Sequence, residues 1–184
     1  TGYEATIEEL GLMDIAVFGA WEVSSSSLTF LEIDGGTVAV LGVDVLNGPL
    51  DMARTAQLLD EAASRSDAQV VYIHWGPEYV LEHHSSQRQL AEELSQLGVE
   101  VVIGHHPHVV QDIEVIGETV VFYSLGNFLF DQYFSEEVET GLLVEMAFKD
   151  KQLMYTLHGI SSEASRSRPQ LLAAYDNQIF LRQL

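Results

Sequence analysis

Three runs of mostly apolar residues in the middle of the chain each end abruptly in polar, unusual sequence. Gln69-Val70-Val71-Tyr72-Ile73 runs into His74-Trp75-Gly76-Pro77-Glu78, and residues 99–103 run into Gly104-His105-His106-Pro107-His108. Residues 119–123 run into Ser124-Leu125-Gly126-Asn127. Their length and lack of alternation predict strands covered on both faces. Amphipathic segments separate them. Residues 51–64 open on Asp51, a predicted N-cap, and repeat Met52, Ala56, Leu59 and Ala63 on one face. Residues 87–97 carry Leu90, Leu94 and Leu97, with Ser86 and Gln89 as a predicted capping box and Gly98 as the stop. Strand, helix, strand, helix, strand in this order predicts right-handed crossovers and an α/β sheet.

The flanks read differently. Residues 4–10 are predicted to end a helix at Gly11, and residues 15–18 to form a short buried strand. Residues 28–33 and 37–43 read as strands about the turn Asp34-Gly35-Gly36. Residues 141–149 and 152–158 alternate apolar and polar side chains about Lys149-Asp150-Lys151, which predicts a half-buried antiparallel hairpin, placed at the edge of the sheet. Residues 168–184 are ambiguous between helix and strand. A length of 184 residues fits one domain over residues 1–184.

Composition narrows the chemistry. Eight basic against 28 acidic residues give a formal charge of −20, which repels phosphate backbones and anionic lipid. Nucleic acid is therefore excluded as a partner, whereas cations are attracted. No apolar run approaches the ~18 residues of a membrane span, so no membrane segment is expected in this chain. The absence of cysteine leaves imidazole, carboxylate, amide and water as metal ligands.

Open α/β sheets bind ligands beyond the carboxyl ends of their strands. His74 and the His106/His108 pair stand at two such ends, and strands ~4.8 Å apart bring them within reach of one ion. In an extended chain, residues two apart put both rings on one side, and Pro107 stiffens the pair. Gly104 is expected to let the chain turn as it leaves its strand. Glu78 either orients a ligand histidine, binds substrate or is an exposed loop acid. Asn127 either caps a turn or offers its amide to substrate. Trp75 and Phe128 read as walls of the cleft. His83 and His84 read as solvated loop histidines, and His158 as a strand or surface residue.

The three motifs, with Tyr79, Val109-Val110-Gln111, Tyr123 and Phe128 completing them, resemble in order and spacing the CapA family of bacterial capsule and poly-γ-glutamate synthesis proteins. The resemblance covers roughly residues 1–160. It implies a calcineurin-like metallophosphoesterase fold, a four-layer α/β/β/α sandwich with mixed sheets, of which this chain would form part. It further implies a dinuclear hydrolase site with divalent ions (Mn, Zn or Fe), His74, His106 and His108 as ligands, and His105 as a neighbour. Glu78 and Asn127 would work beside them on substrate. The family's earlier Asp-containing and Asn-His motifs do not occur here, so the chain resembles the C-terminal half to two-thirds of a member. It would hold about three ligands and few or none of the bridging carboxylates. The implied partners are an anionic polymer or phosphoester substrate and capsule-synthesis membrane components, on the extracytoplasmic side of the cell envelope. A non-catalytic polymer-binding or export-accessory role is the alternative.

Overall fold

A computed structural model describes residues 2–13, 15–19, 23–149, 152–163 and 168–184. Helix α1 (Gly2–Leu12) precedes the hairpin of β1 (Leu28–Ile33) and β2 (Gly36–Asp44), closed through Asp34 and Gly35, with Gly35 at φ 96°. Helix α2 (Met52–Ala63), β3 (Ala68–His74), α3 (Ser85–Gln96) and β4 (Val101–His105) follow. Strands β5 (Ile113–Ile116) and β6 (Thr119–Phe122), α4 (Glu136–Glu139), β7 (Thr140–Lys149), β8 (Gln152–Ser161), β9 (Gln170–Leu171) and α5 (Ala174–Leu181) complete the described order.

One sheet runs β1-β2-β3-β4-β6-β5, with β2, β3, β4 and β6 parallel and an antiparallel strand at each edge. The second sheet is antiparallel, β7-β8-β9. Both crossover helices cover one face of the large sheet. Leu58, Leu59, Ala91 and Leu94 pack there on Leu41, Val71, Ile73 and Val102. The other face, with Val40, Val70, Val101 and Phe122, meets Leu142 and Val144 of the small sheet and Phe180 and Leu181 of α5. Continuous apolar strands are thus buried on both sides, as parallel crossovers require. Among the described residues this forms three layers of the expected sandwich, helix, sheet and sheet; Leu143 and Met154 on the outer face of the small sheet stay exposed.

Several elements depart from the expectations. Residues 15–18 form no strand. Ile15 and Val17 are exposed, and Phe18 and Gly19 instead cross the face of β2 at Gly42, where a side chain would strike Phe18 Cδ2 at 2.8 Å. The buried face of α2 is Thr55, Leu58, Leu59 and Ala62, rotated from the expected stripe, and Asp51 caps it by accepting from the Arg54 N–H at 3.0 Å. Helix α3 begins earlier than expected: His84 is the N-cap, and its N–H donates to Gln87 Oε1 at 2.8 Å. The alternating hairpin builds the separate small sheet, because its inward positions complete a core that the large sheet's second face leaves open. The turn at Asp150-Lys151 lies outside the described residues. Residues 168–184 resolve into a short strand and a helix. Strand β5 was not anticipated; it pairs with β6 across Gly117-Glu118, with Gly117 at φ 63°.

Candidate metal centre

Parallel register sets Asp44, His74 and His105 side by side at the carboxyl ends of β2, β3 and β4. Asp44 Oδ2 accepts from His74 Nδ1 at 2.9 Å, and its Oδ1 accepts from the Leu46 and Asn47 N–H groups at 2.9 and 3.2 Å. Burial works to raise the Asp44 carboxyl, but the bonds from His74, Asn47 and Leu46 outweigh it and hold it below its ordinary value. With Nδ1 committed, His74 keeps Nε2 for other contacts. Its ring stacks on His105 at 4.8 Å and meets His106 edge-on at 4.6 Å. His105 is also stacked on Tyr72 at 4.6 Å. Burial first, then the neighbouring His74 and His106, lowers its pKa to about 4, so it is a neutral ring at neutral pH. Burial and then His74 lower His106 as well.

Past β4 the chain leaves extended geometry. His106 sits at φ 101° and His108 at φ 60°, both on the left-handed side that side chains with a Cβ rarely adopt. The expected extended His-x-His pair is therefore replaced by a tight turn in which the rings lie 5.7 Å apart, tilted by 58°. Gly104 is not the turning residue. It lies within β4, where a Cβ would fall 2.1 Å from the Tyr123 carbonyl oxygen and 2.2 Å from Trp75 Nε1. That gap admits the Trp75 indole N–H, which donates to the Tyr123 carbonyl at 2.8 Å.

His108 Nδ1 bonds to Asn127 Oδ1 at 2.9 Å, and Asn127 Nδ2 donates to the Val138 carbonyl at 3.1 Å. The Asn127 amide is therefore engaged on both sides, and His108 keeps Nε2 free. Glu78, on the loop after β3, completes a cluster in which one ligand atom each from Glu78, His106 and His108 lies within 4.8 Å of the others. An ion ligated at about 2.1 Å would draw them to separations of about 3.4 Å, a closure that needs small ring movements of His106 and His108 as well as rotation of the exposed Glu78. Two imidazoles and a carboxylate, without thiolate, fit Zn, Mn or Fe. His74 stands beside this cluster rather than within it.

Trp75 is core, 1% exposed, and not a wall of the cleft. Tyr79 and Phe130 flank His108 at 6.0 and 4.9 Å, while Phe128 is exposed. His83 is not a free loop histidine: its Nδ1 meets Asp112 Oδ2 at 2.7 Å and its ring lies on Tyr123 at 4.1 Å. His158 is on β8, 3.7 Å from Glu145. Asp44 is the site residue that sequence reasoning missed; the signal was there, since β2 ends in an acid as β3 ends in a histidine. A cavity of about 870 Å³ contains none of the cluster; Leu81, His83, Gln111, Asp112 and Phe180 are among the residues lining it.

Comparison with known proteins adds kinship. A family model described as bacterial capsule synthesis protein PGA_cap matches residues 1–132. The PGA biosynthesis protein CapA of Bacillus subtilis (strain 168) is 34% identical over 158 residues, 77% of this chain and 42% of that protein. The capsule biosynthesis protein CapA of Bacillus anthracis is 28% identical over 161 residues, 77% of this chain and 39% of that protein. The chain thus spans about two fifths of the length of these relatives. The crystal structure of a hypothetical protein from Thermus thermophilus superposes with a TM-score of 0.54 at 18% identity, over 73% of this chain and 61% of that one, a likeness of fold.

Proposed function

The chain belongs to the bacterial capsule synthesis protein family, and from that premise we propose that it carries a metal-dependent phosphoester hydrolase site serving capsule or poly-γ-glutamate production at the cell envelope. The observation that carries this reading is the convergence of Glu78, His106 and His108 on one point. Divalent ions bound there would polarise a phosphoryl oxygen and supply an activated water.

The chain's own residues divide the work. Glu78, with His106 and His108, would hold one ion, and Asn127, by occupying His108 Nδ1, would leave Nε2 for it. His74, fixed through Nδ1 by Asp44 and in edge contact with His106, would ligate a second ion through Nε2. In a chain of formal charge −20, an anionic phosphoester or polymer approaches only where cations offset that field, which ties substrate binding to the same cluster. Among the roles expected for Glu78, orienting a ligand histidine, binding substrate or standing as a loop acid, none was that of a ligand, which is the role it takes in this reading.

Mn²⁺ and Zn²⁺ titrations, paired with hydrolysis of bis(p-nitrophenyl) phosphate and p-nitrophenyl phosphate, test the reading. We expect bound metal and metal-dependent turnover, with His106→Ala weakening metal at least ~100-fold and abolishing turnover. Turnover unchanged by His106→Ala and by chelation would sink the proposal. Tight metal binding without turnover on either ester would instead favour the non-catalytic polymer-binding role.

A further inference from the structure

The segment that supplies His106 and His108 continues directly into a grip on the loop that supplies Glu78. The Tyr79 N–H donates to the Pro107 carbonyl at 2.8 Å. Gln111, 1% exposed, donates through Nε2 to the carbonyls of Val80 and Glu82 at 2.8 and 3.1 Å. Its Oε1 accepts from Gln87 Nε2 at 3.0 Å, and Gln87 Oε1 accepts the His84 N–H at 2.8 Å. Asp112 then takes both the His83 N–H, at 3.0 Å on Oδ1, and His83 Nδ1, at 2.7 Å on Oδ2. Buried amides demand partners, and those of Gln87 and Gln111 find theirs in each other and in the loop backbone.

This grip answers a question of geometry. Tyr79, next to Glu78, sits at φ 61°, a left-handed conformation that is unfavourable for a side-chain-bearing residue and relaxes unless its surroundings over-determine it. Glu78 is exposed, so packing does not hold it. Hydrogen bonds from residues 107–112 to residues 79–83 do.

We propose that Gln111 and Asp112 are positioning residues for Glu78: they clamp the loop so that its carboxylate stands at the His106/His108 pair. His83, read from sequence as a loop histidine, is the handle by which Asp112 holds that loop. The inference rests on the metal reading above and adds that affinity for the ion is set in part by residues that do not touch it.

Mn²⁺ alone, titrated calorimetrically into the intact chain, is the probe. Asp112→Ala changes a partly exposed side chain, and His83→Phe keeps the ring on Tyr123 while removing Nδ1. Each is expected to weaken Mn²⁺ about tenfold, the lower end for groups that orient ligands, and to speed amide exchange at residues 79–83. In a Glu78→Gln background, Asp112→Ala is expected to change affinity less than about twofold, because the clamp acts through Glu78. An equal loss in both backgrounds, or none in the parent, overturns the clamp. If Glu78→Gln weakens Mn²⁺ and Asp112→Ala does not, only the clamp fails; a parent chain that binds neither Mn²⁺ nor Zn²⁺ overturns both it and the metal reading.

Discussion

On the strand-end rim, His108 is held through Nδ1 by Asn127 at 2.9 Å and His74 through Nδ1 by Asp44 at 2.9 Å. At the far end of the 79–84 loop, His83 is held the same way by Asp112 at 2.7 Å. Local chemistry is alike in the two regions, with an oxygen acceptor fixing the tautomer and orientation of a ring. Their surroundings differ. On the rim, His106 and Glu78 converge with His108, and His74 lies in edge contact. His83 instead lies flat on Tyr123, whose hydroxyl donates to Glu114 at 2.9 Å. An oriented imidazole is thus available as a ligand only where other donors gather beside it; elsewhere the same pairing is a fastening.

The contrast breaks most completely if the floor beneath both regions is lost. Gly104→Ala would drive a methyl group into the Tyr123 carbonyl and the Trp75 indole, which join β3, β4 and the segment after β6. We expect a loss of about 3 kcal/mol in denaturant unfolding, because backbone must move and a buried hydrogen bond is broken. A loss below about 1 kcal/mol would mean that this floor is softer than its contacts imply.

A pH titration sharpens the contrast next, because only the rim crowds imidazoles together. His105 titrates at about 4 in the folded chain against an ordinary 6.5, through burial and then through His74 and His106, with Asp44 opposing. Between those values the unfolded chain binds more protons, so stability rises with pH and is lost as pH falls from 6.5 towards 4. Metal-free protein in chelator should lose on the order of 1 kcal/mol per pH unit across that window. His105→Asn should flatten the slope, and an unchanged slope would assign it to other groups.

The smallest effect tests the rim's acceptors. Asn127→Ala and Asp44→Ala should each weaken Mn²⁺ about tenfold, by releasing His108 and His74 from their tautomers. Asp44→Ala leaving affinity unchanged would confine the ion to the Glu78, His106 and His108 cluster and remove His74 from the ligand set.

Much of the rim was legible along the chain. Apolar runs 69–73, 99–103 and 119–123 formed β3, β4 and β6, because covered parallel strands need uninterrupted hydrophobicity and their polar ends must meet at one edge. Hidden from that reading were residues whose role depends on what lies across a gap. Asp44 acquires its role from His74, 30 positions on, and Gln111 from carbonyls about as far back. An apolar run at residues 15–18 looked like a strand, yet only a neighbouring strand with free hydrogen bonds could have made it one.

By itself, then, the sequence determined the strand order's local ingredients, the histidines available as ligands and the acidic field that makes cations its natural partners. Periodicity and composition are properties of neighbouring residues, so they survive without a fold. Tertiary structure alone decided that His106 and His108 converge through a left-handed turn, that Glu78 joins them, and that His83 fastens a loop. Those outcomes depend on register and on hydrogen bonds between distant segments, and no local pattern encodes them.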